Sequence, residues 1–283
     1  MKRVTFMIIA VTLFSLVLST VEINAQAIEF NHKTGKYLEV DGANIYYEEI
    51  ANAEKPVLVL LHGGFGNIED FNLILQMFTE DYHIVGIDSR GHGKSTLGTN
   101  NLTYKRLQLD IEAVLDHLKL KDINIIGFSD GGVIAYRLAM ENKISIRKIV
   151  TIGATWSLSD AKLIDQFMEG ETPERSKETW LRTCFDFYQK YNPIPDFDKF
   201  AKCVFKMWTD ITEDGYPQEN VQNINVPTLI IRGNDDYIFP IESAVELTMK
   251  IKNSVLLNIP FAPHDAHRKY LQIFEIITKE FLL

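Results

Sequence analysis

The sequence has few cysteines and no pattern that would hold a metal ion. Two cysteines and seven histidines occur in 283 residues, and none of them stands in a C-x-x-C, H-E-x-x-H or similar ligand spacing. No metal is therefore expected, and no motif implies a cofactor. The chain also has no internal repeat, low-complexity tract or long linker. It is long enough for one large domain with a sizeable core.

The amino terminus carries the pattern of a targeting signal. Lys2-Arg3 precede an apolar run from Val4 to Leu18, and the small-residue site Ala25-Gln26-Ala27 follows. This order predicts a secretory signal peptide over residues 1–27. The run is short of the roughly 20 residues that a membrane span needs, although residues 19–21 could extend it into an uncleaved anchor. We expect an exported protein, periplasmic or secreted, with no stable membrane partner after signal removal.

The chain has fewer basic residues than acidic ones. The sequence has 29 Lys and Arg against 38 Asp and Glu, a formal net charge of -9. Removal of the leader takes away Lys2, Arg3 and Glu22, which leaves 27 against 37 and a net charge of -10. An acidic chain is soluble and a poor partner for the phosphates of nucleic acid. Nucleic acid is therefore not expected as a partner, and the oligomeric state is left open.

The segment Gly127-Phe128-Ser129-Asp130-Gly131 carries the strongest signal for chemistry. It follows an apolar run that predicts a buried strand and precedes a helical pattern. A serine in so tight a strand-to-helix turn presents its hydroxyl away from the backbone, and the flanking glycines relieve the crowding. The helix that follows directs free N–H groups toward the serine, where negative charge develops in acyl transfer. Ser129 is therefore the predicted nucleophile.

Two backbone N–H groups are candidates for an oxyanion hole, the site that binds the negative oxygen formed in acyl transfer. Residues 56–61 form an apolar strand that runs into His62-Gly63-Gly64. A glycine loop of this kind can bring a backbone N–H close to a substrate carbonyl, and Gly64 is the predicted donor. The N–H of Asp130, directly after the nucleophile, is the second.

A carboxylate and a histidine follow two later strands. The strand at 228–232 ends in a turn that contains Asp235 and Asp236, and the strand at 255–260 is followed by His264. The chain order is therefore Ser, Asp, His, with each residue at the end of a strand. This order is typical of α/β-hydrolases and differs from the orders found in chymotrypsin and subtilisin.

The chain from Tyr37 to Leu283 resembles the α/β-hydrolase superfamily in three further loops. Residues 88–95 are similar to its D-x-R-G-x-G-x-S loop, 233–240 to its G-x-x-D-x-x-x-P loop and 260–264 to its P-x-x-x-H loop. The second loop implies that Asp236 is the acid, and the third implies that His264 is the base. Asp130 after the serine, and the segment His264-Asp265-Ala266-His267, most resemble the valacyclovir hydrolase (biphenyl-hydrolase-like) branch.

Several neighbouring residues compete for these roles. Asp235 is the rival of Asp236, and His267 is the rival of His264. His62, like His92 and Asp88, is interpreted as bracing a loop by hydrogen bonds. The remaining histidines, among them His32, His83 and His117, show no partner pattern.

The predicted fold class is α/β, with an eight-stranded, mostly parallel sheet and helices on both faces. Apolar strands alternate with helical patterns such as 104–118, and Asp41-Gly42 marks an antiparallel hairpin between strands at 37–40 and 43–50. One helical, aromatic-rich stretch breaks the alternation. We predict a hydrolase core over 28–156 and 220–283 with a helical cap inserted at 157–219.

The sequence therefore predicts a serine hydrolase that cleaves small carboxylic esters through an acyl-enzyme, with Ser129, Asp236 and His264 as its triad. Alternatives with the same triad are C–C bond hydrolysis, lactone opening and aminopeptidase activity. A non-catalytic ligand receptor on the same fold is an alternative of another class.

Two further expectations concern single side chains. Asp130 either pairs with a cationic amine of the substrate or merely suits the helix N-terminus. Cys184 and Cys203 lie nearly level on two predicted antiparallel helices, so they either form a disulfide or remain two buried thiols.

Overall fold

The computed structural model describes residues 28–52 and 54–283, and within them eight strands form one sheet. The strands are β1 Lys36–Val40, β2 Ala43–Ile50, β3 Val57–Leu61, β4 His83–Ile87, β5 Ile123–Phe128, β6 Ile146–Ile152, β7 Thr228–Gly233 and β8 Ser254–Ile259. Their order in the sheet is β1-β2-β4-β3-β5-β6-β7-β8. β1 and β2 pair antiparallel, as do β2 and β4, and every other pairing is parallel.

The first two strands form the hairpin that the Asp41-Gly42 signal predicts. Asp41 has φ 48° and Gly42 has φ 73°, so both central residues of the two-residue turn adopt positive φ. This combination is that of a type I′ turn, whose twist matches the twist of the flanking strands. The antiparallel start of the sheet is confirmed.

Ten helices accompany the sheet in the part of the chain that the structure describes. They are α1 Asn72–Leu75, α2 Tyr104–His117, α3 Asp130–Glu141, α4 Leu158–Phe167, α5 Pro173–Ser176, α6 Arg182–Tyr191, α7 Phe197–Trp208, α8 Ile241–Lys250, α9 Ala266–Lys269 and α10 Leu271–Leu282. Short 3₁₀ helices cover Ile68–Phe71 and Gln218–Asn223. The predicted α/β class, with a mostly parallel sheet covered by helices, is confirmed.

The sheet is buried on both faces because its strands send apolar side chains in both directions. On β3, Val59 and Leu61 join the core beneath α2, α3 and α8, whereas Leu58 and Leu60 join the core beneath α1 and α10. Side chains alternate along a strand, so a central strand of a two-sided sheet must be apolar throughout. The parallel strands consequently bring their carboxyl ends to one edge of the sheet, where the predicted site residues follow them.

The connection between β6 and β7 contains α4 to α7, and residues 157–219 are called the insertion below. It is rich in aromatic contacts, and the rings of Tyr188 on α6 and Phe200 on α7 stack with centroids 4.9 Å apart. The assignment of these residues to a separate cap domain stays a prediction.

Cys184 on α6 and Cys203 on α7 are free thiols in the structure, so the suggested disulfide is not formed. The space between the two helices is filled by Tyr188 and Phe200 instead. Helices that pack through large side chains lie roughly 8–10 Å apart, whereas a disulfide needs Cα atoms within about 7 Å. Burial raises the pKa of the Cys184 thiol to about 11, as expected of a thiol that serves as a small apolar side chain.

The predicted signal peptide at 1–27 lies outside the described residues. Within 28–52 and 54–283, no helix has the length and apolar character that a membrane crossing requires.

Candidate active site

Ser129 lies in a strained turn between β5 and α3. Its backbone has φ 49° and ψ -116°, outside the regions that non-glycine residues ordinarily adopt. Its N–H donates to the Ile152 carbonyl at 2.8 Å, which ties the turn to β6. Glycines are required on both sides, because a Cβ on Gly127 would lie 2.4 Å from the Gly131 carbonyl oxygen and one on Gly131 would lie 1.9 Å from that of Leu61. The sequence-based interpretation of this turn matches its geometry.

Asp236 and His264 are brought together by the ends of β7 and β8. His264 Nδ1 lies 2.9 Å from Asp236 Oδ2, and since a carboxylate only accepts, the histidine donates. The other oxygen of Asp236 accepts from the N–H groups of Ile238 and Phe239 at 2.9 and 3.1 Å. Asp236 is buried, and its orientation is held by three donors. His264 Nε2 makes no hydrogen bond among the described residues, and His264 lines the same cavity as Ser129.

The two rival residues are placed differently. Asp235 is exposed, and its carboxylate accepts from the Asn234 side chain at the edge of the turn. His267 is buried against the ring of Phe128, and its Nδ1 has no hydrogen-bond partner among the described residues. Burial, with smaller contributions from nearby Arg268 and His264, lowers the pKa of His267 to about 3. Neither rival has the geometry of the Asp236–His264 pair.

Arg232 organises the loop that carries Asp236, and it was not singled out from the sequence. Its Nε donates to the Phe239 carbonyl at 2.9 Å, and its Nη2 donates to the Asp236 carbonyl at 3.0 Å. The guanidinium thus joins two backbone carbonyls of the turn that contains Asp236 and fixes the conformation of that turn. The sequence does contain an indication of this role, since Arg232 is a basic residue near the end of an otherwise apolar strand. A charged side chain is costly to bury unless it is paired.

The loop after β3 fixes the direction of the Gly64 N–H. The Gly63 carbonyl accepts from His62 Nδ1 at 2.7 Å and from the Gly66 N–H at 3.0 Å. The Ser89 N–H donates to His62 Nε2 at 3.0 Å, which places the ring proton on Nδ1. The C=O and N–H of one trans peptide point in opposite directions, so holding the Gly63 carbonyl turns the Gly64 N–H the other way. Among the described contacts this N–H donates to no protein atom.

Asp88 braces the neighbouring loops, as the sequence predicts, but with an unexpected partner. Its oxygens accept from the N–H groups of Ile68 and Lys94 at 3.0 and 2.8 Å. His32 places Nε2 2.8 Å from Asp88 and Nδ1 2.7 Å from Glu69. Burial acts to lower the pKa of His32, but its hydrogen bonds and charge interactions with Asp88 and Glu69 raise that pKa above its usual value. The sequence shows no partner pattern for His32 because both carboxylates are distant in sequence, 37 and 56 residues away.

His92 also acts as a brace. Its Nδ1 donates to the Arg90 carbonyl at 3.0 Å, and its ring packs edge-on against Phe200 of the insertion with centroids 4.7 Å apart. Burial, and secondarily the neighbouring His62, lowers the pKa of His92 to about 3. A neutral, buried imidazole on a backbone carbonyl has a structural role, in agreement with its interpretation from sequence.

Asp130 has a buried carboxylate with only uncharged hydrogen-bond donors. Trp208 Nε1 lies 3.0 and 2.9 Å from its two oxygens, and the Tyr104 hydroxyl donates to Oδ1 at 2.8 Å. Burial raises the pKa of Asp130, while the hydrogen bonds from Trp208 and Tyr104 act in the opposite direction. No salt bridge to Asp130 occurs among the described residues. The ionised form of Asp130 would therefore have no cationic partner in this wall of the cavity.

These residues surround a cavity of about 530 Å³. The core contributes Gly64, Ser129, Asp130 and His264, and the insertion contributes Phe167, Met168, Trp180 and Trp208. The size and the mostly apolar lining with a few converging polar groups are typical of a site for a small organic molecule. Within the described part of the chain, no group of three His, Cys, Asp or Glu side chains is arranged to hold a metal ion.

Comparison with known proteins agrees with this architecture. The family model for the alpha/beta hydrolase fold matches residues 56–191. An esterase from Exiguobacterium antarcticum superposes with a TM-score of 0.70 at 22% identity, covering 88% of this chain and 100% of that one. The eight-stranded sheet, the serine turn and these matches together show that the chain has the α/β-hydrolase fold.

Two relatives are similar along most of their length. The human serine hydrolase BPHL is 26% identical over 265 residues, which span 88% of this chain and 86% of that protein. The bifunctional esterase/perhydrolase DCH of Acinetobacter calcoaceticus is 25% identical over 255 residues, which span 79% of this chain and 90% of its own. Relatives with these names support a hydrolase and leave its substrate open.

Proposed function

We propose that the protein is a serine hydrolase that cleaves small carboxylic esters. Ser129 attacks the ester carbonyl while His264 Nε2 takes the hydroxyl proton, and Asp236 holds the imidazole and stabilises its protonated form. The N–H groups of Gly64 and Asp130 bind the oxyanion of the tetrahedral intermediate. Collapse breaks the C–O bond, and His264 protonates the departing alcohol. Water, activated by His264, then hydrolyses the acyl-enzyme to the carboxylic acid and free Ser129.

One observation carries this proposal. The Asp236–His264 pair, joined at 2.9 Å, opens onto the same cavity as a serine held at positive φ. A strained serine and a histidine on one cavity, with a buried carboxylate on Nδ1 of that histidine, form an arrangement suited to nucleophilic catalysis. Strain of this kind is costly and persists where the surroundings over-determine it.

The test is turnover of p-nitrophenyl esters by the purified protein, with release of p-nitrophenol followed at its absorbance. Burst kinetics and labelling of Ser129 by a fluorophosphonate would support the acyl-enzyme route. A folded protein that binds esters without releasing alcohol would instead indicate a receptor. A panel of esters, lactones and aminoacyl compounds separates ester hydrolysis from the other hydrolytic reactions that use such a triad.

We further propose that the preferred esters carry an ammonium group close to the scissile carbonyl. The supporting observation is the buried carboxyl group of Asp130, which lines the cavity and has only neutral hydrogen-bond donors among the described residues. A carboxylate that accepts from Tyr104 and Trp208 retains lone pairs for a further donor. A substrate cation would neutralise a charge that burial otherwise makes unfavourable.

We propose that this hydrolysis takes place outside the cytoplasm. The support is the charged, apolar and small-residue order of residues 1–27. Mass spectrometry of the amino terminus of the mature protein, together with fractionation of expressing cells, tests it. An intact Met1 on cytoplasmic protein would contradict it.

A further inference from the structure

Trp208 joins the insertion to the nucleophile turn. It is the last residue of α7, and its indole N–H donates to both oxygens of Asp130, at 3.0 and 2.9 Å. Asp130 directly follows Ser129 and begins α3. A hydrogen bond to a carboxylate is stronger than one between neutral groups, and burial limits competition from water. The end of α7 is therefore held against the start of α3 by side chains 78 residues apart in sequence.

A second bond holds Trp208 from the other side. The Tyr216 hydroxyl donates to the Trp208 carbonyl at 3.0 Å, and Tyr216 is itself buried against Tyr104. Tyr104 in turn donates to Asp130. The ring of Trp208 is thus tied to Asp130 of the core, and its backbone is tied to Tyr216 at the end of the insertion, which leaves its indole little freedom to move.

The fixed indole packs on the backbone of the loop that carries Gly64. A Cβ on Gly64 would lie 2.5 Å from Trp208 Cζ2 and 2.7 Å from Asp130 Oδ2, so this position has no room for a side chain. The next residue, Phe65, meets the Trp208 ring edge-on with centroids 5.5 Å apart. The bonds from His62 and Gly66 to the Gly63 carbonyl orient the Gly63–Gly64 peptide. Trp208 limits the movement of this peptide on the side that faces the cavity.

We propose that Trp208 is a positioning residue for the oxyanion hole. Bonded to Asp130, it holds the Gly64 N–H at the place where the transition-state oxygen forms. This role rests on the proposed esterase function, since it acts through Gly64 and not on the substrate itself. An interaction that matters only once the oxyanion has formed affects kcat more than KM.

Trp180 supplies a matched comparison in the same cavity. Its ring also lines the cavity and lies 6.4 Å from that of Trp208. Its indole N–H, however, donates to Glu171 within the insertion at 3.1 Å, so it does not tie the insertion to the nucleophile turn. Trp180 also meets Phe65 edge-on, with centroids 6.2 Å apart, but the atoms nearest to a Cβ on Gly64 belong to Trp208 and Asp130.

The experiment compares Trp208→Phe with Trp180→Phe on a neutral p-nitrophenyl ester. Trp208→Phe keeps an aromatic ring and loses the N–H, and we expect kcat to fall roughly tenfold or more with a smaller change in KM, because small misplacements of a catalytic group are costly. Trp180→Phe is expected to act mainly on KM. The bond is also tested from its other end: Asp130→Asn retains an acceptor for the indole, and its kcat should exceed that of Asp130→Ala.

Hydrogen exchange of the Gly66 backbone amide, which donates to the Gly63 carbonyl, provides a readout that needs no turnover. Trp208→Phe should speed this exchange roughly tenfold in the folded protein, a factor in keeping with the loss of a hydrogen bond to a charged group. Equal exchange and an unchanged kcat in Trp208→Phe would overturn the positioning role while leaving the esterase proposal intact. A wild-type protein without turnover would overturn the esterase proposal, and with it the catalytic role of Trp208.

Discussion

The two sides of the cavity are built in different ways. The core side holds its polar groups by short hydrogen bonds at the ends of strands, as in the three donors on Asp236. The insertion side is assembled from packed rings, such as Trp180 stacked on Trp208 with centroids 6.4 Å apart. Proton transfer depends steeply on the geometry of a few atoms, whereas an apolar surface can change shape and still bind. We therefore expect the core side to determine whether reaction occurs, and the insertion side to determine which substrates react well.

Loss of the nucleophile should produce the largest effect. Ser129→Ala is expected to lower kcat for a p-nitrophenyl ester by several orders of magnitude, on the order of 10⁶, because the acyl-enzyme no longer forms. Stopped assays at high enzyme concentration measure the residual rate. Circular dichroism checks that the fold is retained. Activity close to wild type would remove Ser129 from the mechanism.

The two histidines near Phe128 should behave as opposites. His264→Ala should lose nearly as much activity as Ser129→Ala, since the triad acts as a unit. His267→Ala removes a buried ring from the same wall and should reduce stability more than kcat. Kinetic assays and thermal melts of the two variants, run in parallel, show which histidine is the catalytic base. A dead His267→Ala beside an active His264→Ala would move the base to His267.

Loss of the Asp236 carboxylate should lower kcat somewhat less than loss of Ser129 or His264. Asp236→Asn can still contact His264, but its amide favours the wrong imidazole tautomer, and we expect kcat to fall roughly 10⁴-fold. Asp235→Asn is the matched control, because that carboxylate is exposed and bonds only to Asn234. If both substitutions lower kcat by the same factor, the contact with His264 does not identify Asp236 as the acid of the triad.

Substrate selection by Asp130 should have a moderate effect. In wild type, an α-amino ester should exceed its desamino analogue in kcat/KM, and Asp130→Asn should reduce that preference roughly tenfold to a hundredfold by removing the charge. Asparagine keeps an acceptor for Trp208 and Tyr104, so the wall is preserved. An identical preference in both proteins would leave Asp130 with a structural role only.

The smallest effect concerns a contact between the two regions. His32 is held by Asp88 and Glu69 of the core, and its ring packs on Phe187 and Tyr191 of α6, each at 5.4 Å between centroids. The folded-state pKa of His32 is raised, so this stabilisation is complete below the unfolded pKa of about 6.5 and is lost as pH rises through the folded value.

His32→Gln should therefore reduce the free energy of unfolding at about pH 6 by roughly 1–3 kcal/mol, and by less at about pH 9. Urea denaturation at both pH values measures it. His117→Gln makes the same replacement at an exposed histidine without a carboxylate partner and should change little. A constant difference between His32→Gln and wild type across this range would contradict the ionic role.

Local patterns along the chain were sufficient for the class of protein and for the outline of its site. The glycines around Ser129 are needed by the turn itself, and the acid and base follow their strands directly, so periodicity and short spacing reveal them. Parallel strands bring such loops to one edge of the sheet regardless of loop detail. Ser129, Asp236 and His264 could be named for this reason, and their catalytic roles stay predictions.

Other features were decided by tertiary structure alone. Trp208 meets Asp130 across 78 residues, and His32 meets Asp88 across 56. Cys184 and Cys203, by contrast, occupy nearly opposite positions along the two antiparallel helices that the sequence predicts. They nevertheless stay unpaired, because aromatic rings set the spacing of α6 and α7. Helical and strand periods specify which face a side chain occupies, but not which distant side chain it meets there. That partner depends on how whole elements pack, and packing is a property of the folded chain.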